Sequence, residues 1–202
     1  QRLGVNVLFG ALLVVVLGSF AGEWMGVMQK MGIVQNFYFG HQGYEYIDLG
    51  RFWQILLFGG LVIWLFLMIR ALLPALKQKT DNKQLLILFV VASIAIAAFY
   101  GAGLMYGRES HLSVVEYWRW WVVHLWVEGF FEVFATAIIA FIFVKLGLLN
   151  VKRATAAALF TAIIYLFGGI VGTFHHTYFA GTPMSIIALG ASFSALEVVP
   201  LV

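Results

Sequence analysis

His124-Leu125-Trp126-Val127-Glu128-Gly129-Phe130-Phe131-Glu132 sets one histidine and two glutamates at four-residue intervals inside an otherwise apolar helix-forming run. An α-helix advances about 100° per residue, so the three positions drift by roughly 80° in total and project from one face. They form a polar stripe. Around it, 63% of the 202 residues are hydrophobic, 17% aromatic and only 10% charged, and the mean hydropathy is +0.97. That composition excludes an ordinary soluble domain and implies a polytopic membrane protein. A carboxylate at membrane depth costs roughly 2.5–3.5 kcal/mol on insertion scales, so two on one stripe call for a metal, a proton or a water-filled cavity.

Runs long enough to cross the hydrocarbon core, about 20 residues each, fall near 3–27, 52–76, 84–106, 119–144, 154–174 and 183–202. The expected fold is an all-α transmembrane bundle of six spanning helices, forming one domain over 1–202 with long connections only at 28–51 and 107–118. The chain opens on Gln1 without a signal-peptide n-region and stops at Val202 directly after an apolar run, so it reads as a piece of something longer. Arg2, Arg70, Lys77, Lys79, Lys83, Lys145, Lys152 and Arg153 fall on one side of the six-helix arrangement, and Lys30, Arg51, Arg108 and Arg119 on the other. The first side is cytoplasmic by the positive-inside rule. His124 and the pair His175-His176 then share one depth, near the outer face.

The chain has no cysteine, which leaves histidine and carboxylate as metal ligands and removes thiolate-held zinc and cysteine-ligated clusters. A net charge of +3 is too small and too scattered for nucleic-acid binding. A helical His124/Glu128 pair with His175 and His176 on a neighbouring helix offers three imidazoles and one carboxylate. A hard oxygen added to three nitrogens favours iron over copper, with manganese and zinc also suited. The competing reading leaves His124 at the headgroup interface, His175 and His176 as loop residues and Glu128 hydrogen-bonded to a neighbouring helix. Glu132, one turn further inward, and Glu197, deep in the last apolar run, read as protonatable acids beside such a centre. Tyr117-Trp118-Arg119-Trp120-Trp121 reads as an aromatic belt with a snorkelling arginine, and Arg119 as a partner for an anionic cofactor group. The segment Gly40-His41-Gln42-Gly43-Tyr44-Glu45-Tyr46-Ile47-Asp48 reads first as a solvated loop with aromatic anchors, and alternatively as a calcium site held by Glu45.

Trp120-Trp121-Val122-Val123-His124-Leu125-Trp126-Val127-Glu128-Gly129, with Gly172-Thr173-Phe174-His175-His176-Thr177-Tyr178-Phe179-Ala180-Gly181-Thr182-Pro183, resembles the catalytic subunit of bacterial nitric oxide reductases, a branch of the haem-copper oxidase superfamily. Phe130-Phe131-Glu132-Val133-Phe134-Ala135-Thr136 is most similar to the quinol-dependent, single-chain form. The resemblance runs over essentially the whole chain. It implies a non-haem iron held by His124, His175, His176 and Glu128, where the related oxygen reductases carry copper and a tyrosine in place of Glu128. It implies catalytic acids at Glu132 and Glu197, a calcium ligand at Glu45, and reduction of two nitric oxide molecules to nitrous oxide and water with quinol electrons.

The same resemblance implies two b-type haems whose axial histidines belong to helices outside this segment, because His41 and His111 sit in outer loops. The implied surroundings are the remaining helices of the same protein, the bilayer of a bacterial cytoplasmic (inner) membrane and, left open, a second copy in a homodimer. Residues 1–202 alone are expected to be inactive. Two rivals stand beside this reading: an oxygen reductase of the same superfamily, and a proton-coupled transporter using Glu128, Glu132 and Glu197 as a relay.

Overall fold

In lipid every backbone amide must bond within its own segment, so long runs of Leu, Ile, Val and Phe resolve as helices. The computed structural model describes residues 2–44 and 47–201, and the described residues are helical apart from short connections and one isolated bridge, His41 with Leu49. The α-helices are α1 (Arg2–Val27), α2 (Ile33–Phe39), α3 (Arg51–Lys77), α4 (Lys83–Tyr100), α5 (Leu112–Trp120), α6 (Glu132–Lys145), α7 (Val151–Gly172) and α8 (Met184–Ala195). A π-helix, Trp121–Phe131, joins α5 to α6, and 3₁₀ segments follow α4 (Gly101–Leu104), α7 (Thr173–Ala180) and α8 (Leu196–Leu201).

Among the described residues, five continuous helices are long and apolar enough to cross a membrane: Arg2–Val27, Arg51–Lys77, Lys83–Leu104, Leu112–Lys145 and Val151–Ala180. The sixth apolar run is a shorter helix, Met184–Val199. The chain is thus a multi-pass helical membrane protein. Its long helices pack as neighbours in sequence: α1 on α3, α3 on α4, α4 on α6, α6 on α7 and α7 on α8. Among the described residues α1 otherwise touches only α2, and α8 only the 3₁₀ segments either side of it, so the bundle is an open row. Its outward faces carry Leu, Ile, Val and Phe suited to lipid or to further helices.

Two further elements differ from the sequence expectation. The fourth span starts at Leu112 rather than 119, because His111 caps it, its ring nitrogen accepting from Ser113 N at 3.3 Å. Ser113, Glu116 and Arg119 dilute the apolar signal there without breaking the helix, since Glu116 and Arg119 neutralise each other at i,i+3. The stretch 28–51 also contains a short helix, α2, which packs on α1 and α3.

This connecting segment is tied down by polar contacts that apolar periodicity does not reveal. Arg51 is buried, donates to the carbonyls of Gly103 (2.7 Å) and Tyr106, and lies 4.5 Å from the Tyr106 ring centroid. Tyr106 in turn donates its hydroxyl to Gln42 Oε1 at 3.0 Å. Trp53 Nε1 donates to the Phe39 carbonyl at 2.9 Å, and Gly22 lets that same carbonyl approach α1. In the full-length protein, Gly22→Ala would drive a methyl into the Phe39 carbonyl and should cost about 1–3 kcal/mol. Gly59→Ala, where a Cβ meets nothing within 4 Å, should cost nothing. Thermal unfolding in detergent, comparing the two variants with wild type, checks this.

Candidate metal centre

The centre is assembled from two stretches of irregular helix. Between α5 and α6 the chain is bonded i→i+5, which adds residues to each turn. The polar stripe drawn on an ideal α-helix therefore lies on a π-helix, where a four-residue step falls a little short of a full turn instead of past it. His124 and Glu128 still share a face, with His124 Nδ1 2.8 Å from Glu128 Oε2. Trp126 pins the segment to α4, its Nε1 donating to the Ile96 carbonyl at 2.7 Å.

The second stretch begins where α7 tightens. Thr173 Oγ1 donates back to the Gly169 carbonyl at 2.8 Å, a contact that bends helix ends. Gly190 of α8 supplies the room for the turn: a Cβ there would lie 2.5 Å from His175 N and 3.0 Å from Phe174 C. The resulting 3₁₀ segment directs His176 at His124, with His176 Nε2 2.9 Å from His124 Nδ1 and 3.9 Å from Glu128 Oε1. His175 lies edge-on to His124, ring centroids 5.2 Å apart.

One nitrogen from each of His124, His175 and His176 can be chosen so that all lie within 4.8 Å of one another. His124 is 0% exposed and its Nε2 has no hydrogen-bond partner. On its other side a single nitrogen faces both a carboxylate oxygen and a second imidazole nitrogen. One N–H can serve only one of these, so the arrangement leaves a lone pair and a negative charge converging on one point. That is the environment a cation completes. Three imidazoles and a carboxylate fit a borderline metal such as iron, manganese or zinc.

The acids around this cluster are placed differently from one another. Glu197 is 8% exposed, its Oε1 lacks a partner, and its side chain lies over Gly168 and Gly169 of α7. Gly172, one turn further along α7, leaves the space beside His124 Nε2, where a Cβ would lie 3.2 Å away. The same glycine face of α7 therefore meets both Glu197 and His124. Glu132 is half-buried and opens α6 directly after the π-helix.

Arg119 does not snorkel to an interface. It is 5% exposed and paired with Glu116, itself 3% exposed, at 3.1 Å. Reading the sequence for metal ligands and membrane-depth acids passes over Glu116, although an acid three residues before an arginine and four before a tryptophan is a readable i,i+3/i,i+4 pattern. Glu45 lies outside the described residues.

The family described as cytochrome c and quinol oxidase polypeptide I matches residues 1–202. The chain belongs to that family. Its members are oxidoreductases of the haem-copper oxidase type, which typically bind haem and metal. The chain is also 33% identical over 117 residues to a nitric oxide reductase polypeptide of Stutzerimonas stutzeri, a stretch covering 55% of this chain and 24% of that protein. Among the described residues, the histidine cluster where the π-helix meets the 3₁₀ segment is the group that could hold a metal ion.

Because Gly190 of α8 packs against the backbone of His175, a methyl added there should disturb the cluster. Gly190→Ala in the full-length protein is expected to speed loss of non-haem metal to a chelator by about tenfold, the scale seen when supporting contacts of metal ligands are disturbed. Metal-to-protein ratios after timed chelation check this; Ala191→Gly, one position along α8, should stay near wild type.

Proposed function

We propose that this chain forms the non-haem metal side of a quinol-dependent nitric oxide reductase in a bacterial cytoplasmic membrane. The observation that carries the reading is Glu128. Its carboxylate stands 2.8 Å from His124 Nδ1 and 3.9 Å from His176 Nε2, beside the cluster of three imidazoles. A hard oxygen in that position favours iron over copper. Oxygen reduction at copper, the chemistry that the family's description brings to mind, is disfavoured on the same ground. The Stutzerimonas stutzeri relative, itself named a nitric oxide reductase, supports the reading from a different direction.

The reaction takes two nitric oxide molecules, two electrons and two protons to nitrous oxide and water. His124, His175, His176 and Glu128 would hold the iron, which when bound would supply a Lewis acid and a redox-active metal. The protein's own contribution is geometric and electrostatic. The π-helix and the 3₁₀ segment fix the four donors against each other, so that reactant molecules meet in one place instead of colliding in solution. Glu197 and Glu132 are the proton-carrying acids of the proposal, because Glu197 lies along the α7 face that also meets His124 and Glu132 opens the helix following Glu128.

Haem does not find an axial ligand here. Of the five histidines, three belong to the cluster, His111 caps α5, and His41 faces Asp48 at 3.6 Å. The axial ligands of the two b-type haems are therefore assigned to other helices of the same protein. Calcium near Glu45, pairing of Arg119 with an anionic cofactor group and a homodimer belong to the same proposal.

In the full-length protein, Glu197→Gln and Glu132→Gln should each lower nitric oxide turnover by about 10²-fold, the lower range for a lost acid–base group, while metal and haem contents stay at wild-type levels. Anaerobic nitric oxide consumption with reduced quinol, run alongside metal analysis, checks this. Full turnover in both variants would remove these acids from the proposal.

A further inference from the structure

His124 and His176 are held by different means. His124 is enclosed in a packed helix and is 0% exposed. His176 sits in a 3₁₀ segment none of whose residues is buried, and the residue after it, Thr177, has non-helical backbone angles (φ −81°, ψ 22°). A histidine with two rotatable side-chain bonds on such a backbone is not oriented by its own element. Something else must hold its ring.

That support comes from α5. The Trp120 indole stacks on the His176 imidazole, centroids 3.9 Å apart and planes within 12°. The indole is itself fixed: Trp120 Nε1 donates to Glu116 Oε2 at 3.2 Å, and the Arg119 guanidinium lies 4.3 Å from the indole ring centroid. Glu116 Oε2 also accepts from Arg119 Nη2 at 3.1 Å. All three residues are at most 5% exposed. An ion pair buried this deeply loses hydration that its mutual attraction only partly restores, so well-packed apolar residues would often be as stable. Its presence here is better accounted for by orientation than by stability.

We infer that Glu116, Arg119 and Trp120 form a positioning clamp that sets the plane of His176, so that its Nε2 faces His124 and Glu128 at the metal site. This rests on the metal-centre reading above. The chain of contacts is directional: the Glu116 carboxylate fixes the indole edge, the indole face fixes the imidazole plane, and the imidazole plane fixes where its nitrogen lone pair points. Remove the aromatic face and His176 gains freedom that each metal-binding event must then remove. Remove only the charge on Glu116 and the indole loosens, while the fold keeps its packing.

The test uses the full-length protein in detergent, with Trp120→Leu, Trp120→Phe and Glu116→Gln, and follows release of non-haem iron to a ferrous chelator alongside thermal unfolding. Trp120→Leu should release iron at least about tenfold faster than wild type. Trp120→Phe should restore retention to within about threefold, because a phenyl face still stacks. Glu116→Gln should fall between them with an unchanged unfolding midpoint. Should the leucine variant not fold, the phenylalanine and glutamine variants carry the test. Wild-type retention in Glu116→Gln and in any folded Trp120→Leu protein overturns the clamp while leaving the metal site standing. Faster release from Trp120→Phe equal to that from the leucine variant also overturns it, since the aromatic face would then be irrelevant. A wild-type protein with no chelatable non-haem iron overturns the metal reading and the clamp together.

Discussion

The contact among His124 Nδ1, Glu128 Oε2 and His176 Nε2, with distances of 2.8 and 2.9 Å from the first to the other two, is the constraint around which this end of the bundle is organised. Inside an apolar bundle, a carboxylate and two imidazole nitrogens facing one another are tolerable only if a cation or proton sits among them. The surrounding elements serve that convergence. The π-helix presents His124 and Glu128 on one face, Gly172 makes room beside His124, Gly190 lets the backbone of the histidine pair pass, and Trp120 flattens His176 against itself. None of these features is required for six apolar helices to cross a membrane. Together they are required for four donors to meet.

The arrangement also explains a division of labour in the polar residues. Buried polar groups at the start of α3 staple segments: Arg51 binds the 3₁₀ turn after α4 through the Gly103 carbonyl, and Gln54 donates to the Ile47 carbonyl at 3.1 Å. Charges next to the cluster orient ligands, as the Glu116–Arg119 pair does through Trp120. Glu197, buried and unpaired on one oxygen, neither staples nor orients. A carboxyl group placed this way beside the histidine cluster is suited to hold and release a proton, which links the packing of α7 to the proposed chemistry.

Much of this is legible in the sequence because membrane helices announce themselves. Length and hydropathy set the spans, and the meeting of His124 with the His175-His176 pair follows from counting crossings and charges. What escapes is instructive. The fourth helix starts seven residues before its sequence expectation, 112 against 119, because a neutralised i,i+3 ion pair looks like an interface when read one charge at a time. The same misreading makes Arg119 look like a snorkelling side chain and hides Glu116. The π-helix leaves no signature, since it arises from how α4 and α7 grip the segment: Trp126 bonds across to Ile96, and no local residue pattern encodes that partner. Gly190 looks like an ordinary small residue until its neighbour's backbone is in view.

The most direct test of the account is the metal and haem content of the full-length protein, wild type against His124→Ala and Glu128→Ala, with nitric oxide consumption measured on the same samples. The account predicts non-haem iron beyond the haem iron in wild type, lost together with activity in both variants while haem is retained. Iron content and turnover unchanged in both variants would contradict it, and would make the polar stripe a structural feature of the bundle.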